Sequence, residues 1–246
     1  MSEQRVICVI PARYASTRFP GKPLADIAGK PMIEWVYERA TKAKLIDEVV
    51  VATDDERIFS TVESFGGKVV MTGSEHPSGT DRLAEVAQMY EKTDIILNVQ
   101  GDEPLIEPKL IDMLTDELLK DDSLNMATAK VLLKEKEIPD PAAVKVVTDK
   151  NGYALYFSRS LVPYPRNKIA SLASYKHIGI YAYRKDFLLK FAKMEQGYLE
   201  QIEGLEQLRA LENGYKIKVI ETDFLCIGVD TPEDLQEVNH LLKNMR

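Results

Sequence analysis

Residues 9–31 read "VIPARYASTRFPGKPLADIAGKP", and what this stretch leaves and rejoins decides the fold. It leaves the apolar strand "RVICVI" and runs through Arg, Lys, Gly and Pro until helical spacing resumes at Ile33. A strand, a long polar loop and then a helix is the opening of a crossover unit on a parallel sheet. Within the loop, Arg13, Arg18 and Lys22 are spaced among Pro20, Gly21 and Pro23. That layout can wrap cations and backbone N–H groups around phosphates. It is neither a Walker A loop nor a GxGxxG turn, and taken alone it equally suits a solvated connection that happens to be basic.

Working outward, further strands are expected at "EVVVAT", "KVVMT" and "DIILNV". Between them Ile33, Val36, Tyr37 and Ala40 keep the i, i+3, i+4, i+7 spacing of an amphipathic helix, and Leu83, Val86, Ala87 and Tyr90 repeat it. The second half has strands at "MATAKVLL", "AVKVVT", "YALYFS", "YKHIGIYAY" and "KIKVIET". Strand follows strand there without a helix, so an antiparallel extension of a mixed, mostly parallel α/β sheet is expected. A last helix over 231–243 opens with Thr231 as N-cap, Pro232 at the first helical position, and Glu233 and Asp234 in the first turn. Neither repeats nor a linker divide the chain, so residues 1–246 are read as one domain.

The chain has 246 residues, 45% of them hydrophobic, enough to build a core without disulfides or metals. A formal charge of −7 argues against a broad nucleic-acid surface, so a basic cluster should be local and aimed at a small anion. The two cysteines, Cys8 and Cys226, sit in apolar runs and are read as buried, reduced thiols, which suits a cytoplasmic address. Apolar runs are too short for a signal segment or a membrane span.

In an open α/β sheet, ligands bind beyond the carboxyl ends of the strands. After the third strand, Ser78, Gly79 and Thr80 precede a helix start, a place that attracts anions. Arg82 in its first turn opposes the helix dipole, which a role near the loop would explain better than helix stability does. After the fourth strand come Gln100, Gly101 and Asp102, with Glu103 and Pro104 ending the strand. Asp230 follows another apolar run, where taken alone it reads as turn chemistry or capping, yet Thr231 already caps the last helix, which makes Asp230 the best second candidate to join Asp102 around Mg²⁺. In "YKHIGIYAY", alternation puts Tyr175, His177, Gly179 and Tyr181 on one face and Ile178, Ile180 and Ala182 on the other. No Cys/His cluster suits zinc, and no G-x-S-x-G element suits a serine nucleophile.

A basic loop with two strand-end aspartates describes a site for a nucleoside triphosphate with Mg²⁺. In the same order, "IPARYASTRFPGKPL", "SGTDR", "NVQGDEP", "YFSRS" with "PYPR", "HIGIYAYR", "LEQLRALENG" and "VDTPEDL" resemble the 3-deoxy-manno-octulosonate cytidylyltransferase family. The resemblance implies a Rossmann-like nucleotidyltransferase fold that joins CTP to the acid sugar 3-deoxy-manno-octulosonate (Kdo), giving CMP-Kdo for lipopolysaccharide. By similarity, Pro11, Ala12, Arg13, Arg18, Lys22, Ser78, Gly79, Thr80, Arg82 and Gln100 hold the nucleotide, with Arg13 and Lys22 catalytic. Asp102 and Asp230 are implied as metal ligands supporting in-line attack of the sugar's anomeric hydroxyl on the α-phosphorus. Gln100, Arg159, His177, Tyr181, Glu206 and Gln207 are implied for the sugar. Similarity also implies a homodimer formed through the second half, with CTP handled mainly by 1–125 and the sugar and dimer contacts by 126–225. The connection 163–176 is short for the family and borders the sugar side, where it bears on selectivity. Another acid sugar, such as a sialic acid or an 8-amino Kdo, and a non-catalytic nucleotide sensor are the alternatives. The Asp102 and Asp230 pair disfavours the sensor, because two carboxylates repel a triphosphate unless a metal intervenes.

Overall fold

The computed structural model describes residues 4–15, 19–167, 173–224 and 227–244. Arg18, Cys226 and residues 168–172 of the short connection lie outside the described residues. Strand β1 (Val6–Ala12) lies at the middle of the sheet, parallel to β4 (Glu48–Thr53) on one side and to β6 (Ile95–Asn98) on the other. Beyond β4 lies β5 (Val69–Met71), again parallel. Beyond β6 comes β10 (Tyr175–Arg184), which runs antiparallel to β6 and to β7 (Met126–Leu132), and β11 (Lys218–Thr222) closes that edge parallel to β7. The path is therefore β11-β7-β10-β6-β1-β4-β5. The antiparallel extension is the hairpin of β8 (Lys145–Thr148) and β9 (Ala154–Ser158), with β8 pairing the first residues of β10. All nine strands read from the sequence are present. The one sheet not anticipated is the two-residue pair β2 (Asp26–Ile27) and β3 (Lys30–Pro31) inside the opening loop.

Strand alternation explains the two cores. Val6, Cys8, Ile10 and Ala12 of β1 face the side covered by α1 (Met32–Ala40), α2 (Glu56–Ser64) and α4 (Pro108–Lys120). Ile7 and Val9 face α3 (Gly79–Met89), α5 (Lys185–Phe191) and α7 (Leu208–Glu212). The two helices read from periodicity thus bury Ile33, Val36 and Ala40, and Leu83, Val86 and Ala87, on opposite faces of one sheet. Strand β10 carries two extra residues between Ile178 and Tyr181 relative to β7. Two is an even number, so the alternation survives: Ile178, Ile180 and Ala182 go to the first core and Tyr175, Tyr181 and Tyr183 to the second. The Cys8 thiol is buried, and that burial raises its pKa, so it stays protonated as read.

The last helix, α8 (Pro232–Asn244), begins as expected. The Thr231 hydroxyl accepts from the Asp234 N–H at 3.2 Å while the Asp234 carboxylate accepts from the Thr231 N–H at 2.8 Å, a reciprocal cap. Val238 and Leu242 of α8 pack with Ile27, Met32 and Val229 in a third cluster. This cluster backs the opening loop and the chain segment that leads to Asp230. Among the described residues no helix is long and apolar enough to cross a membrane.

Leu97→Ala, at a fully buried position of the central strand β6, is expected to cost about 2–5 kcal/mol in denaturant unfolding, against about 1 kcal/mol for removing the helix cap with Thr231→Ala.

Candidate active site

Strands β1, β4 and β6 end at the same edge, and their following loops converge there. The sharpest constraint is Gly101, where a Cβ would lie 2.8 Å from the Pro11 carbonyl oxygen. Only glycine lets the chain after β6 pass so close to the end of β1. Gly21 has φ 71° and opens the 3-10 turn Lys22–Leu24, and its N–H donates to the Tyr14 carbonyl at 2.9 Å. The Arg57 guanidinium, held by Asp55 at the start of α2, lies 3.2 Å from the centre of the Tyr14 ring. These contacts aim Lys22 across the strand ends.

The Lys22 ammonium reaches Asp102 at 2.5 Å and Asp230 at 3.2 Å. The Val229 N–H donates to the Asp102 carbonyl at 2.8 Å and ties the two acidic segments together. Two carboxylates with one ammonium between them carry a net charge of about −1, and a pair of hard oxygen donors in need of more positive charge suits Mg²⁺. Next to them, burial and then the charge of Asp102 push Glu103 up to about 7. Its Oε2 is buried without a hydrogen-bond partner among the described residues.

A cavity of about 440 Å³ adjoins this cluster. Of the residues expected around the nucleotide, Pro11, Ala12, Arg13, Lys22, Ser78, Gly79 and Gln100 line it, together with Asp102. Arg13 donates to the carbonyls of His76 at 2.6 Å and Ser78 at 2.9 Å, which fixes it against the α3 turn. Burial first, and then the neighbouring Arg82 guanidinium, pull the Arg13 pKa down. Ser78 caps α3 and exchanges hydrogen bonds with Asp81, so the loop is rigid where it meets the cavity.

Two expected residues stand elsewhere. Arg82 is fully buried, bonded to the Thr72 hydroxyl and 3.0 Å from the Asp54 carboxylate, with its Nε unpartnered among the described residues. It lies behind the cavity wall rather than on it, where it backs Arg13. Thr80 is buried too, and its hydroxyl donates to Glu206. Asp54 was not singled out beforehand, although it directly follows β4 at the ligand edge, and the rule that flagged Asp102 applies to it equally.

The residues expected around the sugar gather on the β10 side. The Gln100 amide donates to the Gly179 carbonyl at 3.2 Å, bridging the end of β6 to β10. His177 lies 5.0 Å from the Phe157 ring centre and 5.4 Å from that of Tyr181. Because the Thr128 hydroxyl donates to the Ile180 carbonyl at 2.7 Å, its oxygen accepts from His177 Nε2 at 2.9 Å. Burial pulls the imidazole down to about 3 and raises the Tyr181 phenol, which also feels the Glu206 charge. Burial likewise raises Glu206. Gln207 is buried beside it at 4% exposure. Arg159 stands further out, its guanidinium donating to the carbonyls of Glu203 at 2.6 Å, Pro141 at 3.0 Å and Gly204 at 3.3 Å. Gly204, Glu206 and Ser78 line a second cavity of about 750 Å³, which shares Pro77 and Ser78 with the first.

With this geometry in place, comparison with known proteins is informative. Residues 7–217 match the family described as Cytidylyltransferase. A 3-deoxy-manno-octulosonate cytidylyltransferase of Geotalea uraniireducens is 57% identical over 97% of this chain and 99% of its own. One of Fusobacterium nucleatum is 54% identical over 96% of each. Among solved structures, CMP:2-keto-3-deoxy-manno-octonic acid synthetase complexed with CTP superposes with a TM-score of 0.95 at 46% identity, covering 99% of this chain and 100% of that one. A 4-diphosphocytidyl-2C-methyl-D-erythritol synthase from Anaerococcus prevotii shares the fold alone, with a TM-score of 0.65 at 14% identity over 98% of this chain and 97% of its own.

Since His177 is held neutral in the folded chain to about pH 3 while an unfolded histidine takes its proton near 6.5, the unfolded state binds more protons between those values. Stability is therefore expected to fall as pH drops from 6.5 towards 3, and His177→Gln to flatten that part of the curve in urea titrations run at successive pH values.

Proposed function

The chain belongs to the cytidylyltransferase family and is a CTP-dependent nucleotidyltransferase, and from this premise we propose how its residues join CTP to Kdo to give CMP-Kdo and pyrophosphate. The observation that carries the reading is the Lys22 ammonium held between Asp102 and Asp230 at the wall of the smaller cavity. A triphosphate brings about four negative charges, which must be offset before an anionic sugar can approach the α-phosphorus. Arg13 and Lys22 supply that charge at the cavity wall, and the Ser78–Gly79 turn at the start of α3 adds backbone donors and the helix dipole.

Asp102 and Asp230 would hold Mg²⁺, which when bound neutralises phosphate charge and lowers the pKa of a coordinated hydroxyl. The chain's own part is positional. Gln100 stands where the nucleotide wall meets β10, within reach of both substrates. His177 and Tyr181 present a largely apolar wall with neutral hydrogen-bonding groups. Glu206 and Gln207 accept from sugar hydroxyls. Arg159 has five N–H groups and spends three on carbonyls, so two remain to pair with the sugar carboxylate. The anomeric oxygen attacks the α-phosphorus in line and pyrophosphate leaves, without a covalent intermediate on the protein.

Along the chain, residues 1–125 handle mainly CTP and residues 126–225 the sugar, within one domain completed by the C-terminal helix. Because CTP is a metabolite of the cell interior, the activity belongs in the cytoplasm. A homodimer through the second half is supported by apolar side chains standing in solvent there: Leu132, Leu155 and Tyr164 are 58%, 63% and 81% exposed.

Pyrophosphate release tests the function directly. Purified protein with Mg²⁺ and Kdo is expected to respond to CTP and not to ATP, GTP or UTP, and to give no release from CTP with N-acetylneuraminic acid. Release with the sialic acid but not with Kdo would move the sugar assignment. Asp102→Asn and Asp230→Asn are each expected to lower turnover by ~10²-fold or more with the fold intact. Near-normal turnover in either would remove that residue from the metal site. Arg159→Ala should raise KM for the sugar far more than for CTP, and equal effects on both would withdraw it from the carboxylate.

A further inference from the structure

Across α6 (Tyr198–Glu203) and α7 runs an ion pair that none of the assigned roles uses. Arg209 donates from Nε to Glu200 Oε2 at 2.7 Å and from Nη2 to Glu200 Oε1 at 2.6 Å, and the two side chains are only 8% and 7% exposed. Its Nη1 faces the carbonyls of Phe191 at 3.4 Å and Met194 at 3.5 Å. Of the five guanidinium N–H groups, one on Nη2 is then left. It faces Glu206 Oε1 at 3.6 Å, a charge contact longer than a hydrogen bond. The other Glu206 oxygen accepts from the Thr80 hydroxyl, one residue into α3.

A buried ion pair contributes little net stability compared with apolar residues of the same size. What Glu200 and Arg209 do that an apolar pair would not is fix a positive charge beside Glu206 at the cavity lining. We infer that Arg209, locked by Glu200, is a positioning residue that holds the Glu206 carboxylate aimed for the sugar hydroxyls. This rests on the reading that Glu206 meets the sugar. With Thr80 on one oxygen and Arg209 beside the other, Glu206 is oriented before substrate arrives, so little ordering is left to be done on binding. The same clasp fastens the sugar wall on α7 to the α3 turn that borders the nucleotide.

The test is a KM comparison on the full-length protein with Mg²⁺, CTP and Kdo, using Glu206→Gln, Glu200→Gln, Arg209→Lys and the double variant Glu200→Gln with Glu206→Gln. Glu200→Gln and Arg209→Lys are expected to raise the sugar KM by about fivefold or more while the CTP KM stays within about twofold. The double variant should fall well short of the product of its two single effects, since both act on one carboxylate. A merely structural pair would lower the melting temperature and leave the ratio of the two KM values unchanged, with multiplicative effects in the double variant, and that result would overturn the inference. If Arg209→Lys does not fold, Glu200→Gln, which keeps the guanidinium, carries the comparison. An unchanged sugar KM in Glu206→Gln would instead overturn the reading of Glu206 and the inference with it. A raised sugar KM in Glu206→Gln beside unchanged values in Glu200→Gln and Arg209→Lys would overturn the inference alone.

Discussion

Two carboxylates brought together repel unless a cation lies between them, and the active edge of this protein is organised around that requirement. Asp102 follows the strand β6 and Asp230 precedes the helix α8, so they come from distant parts of the chain. The Lys22 ammonium offsets their repulsion, and the backbone bond from Val229 to the Asp102 carbonyl holds their segments at one separation. Much else follows from keeping that lysine in place. Gly21 supplies the left-handed backbone that turns the chain towards the strand ends. The third apolar cluster packs α8 beneath both the opening loop and the approach to Asp230.

The architecture was legible because its signals are periodic. Every strand of the main sheet announced itself as a short β-rich run, and the faces of α1 and α3 could be counted residue by residue. The β2–β3 pair escaped because two residues carry no period. The site was legible where a residue follows a strand, as Asp102, Gln100 and Arg13 do. It was less so where position depends on depth. In sequence Arg82 looks like a charged first-turn residue at a helix end, and only packing shows it sealed behind Arg13 with Asp54 as counter-ion. Thr80, Glu206, Arg209 and Glu200 form one chain of contacts across three helices, and no local pattern links residues so far apart. The likeness of the motifs to a known family supplied what spacing alone did not, namely that the substrates are CTP and an acid sugar.

Charge is handled differently on the two sides of the site. Towards the nucleotide, cations gather: Arg13 stands against Arg82, and Lys22 reaches across. Towards the sugar, the titratable groups are driven to their neutral forms or held by opposite charge. His177, half-buried against Thr128, Phe157 and Tyr181, is pushed towards its neutral form, and Glu206 keeps a cation close by.

Strand β10 runs against the direction of its neighbours β6 and β7, so the middle of a strand, rather than a loop beyond its end, stands beside the strand-end residue Gln100. The turns after β1 and before α3 are held by several contacts each, Gly21 and Arg57 on Tyr14 and the exchanged bonds of Ser78 and Asp81. In β10, residues Tyr181–Tyr183 are held by ladder pairing on both flanks, while Gly179 and Ile180 bulge out of the β7 register before the pairing with β6 begins. The Thr128 hydroxyl faces the carbonyls of both Ile178 and Ile180, so one side chain of β7 spans the gap that the bulge opens in the sheet.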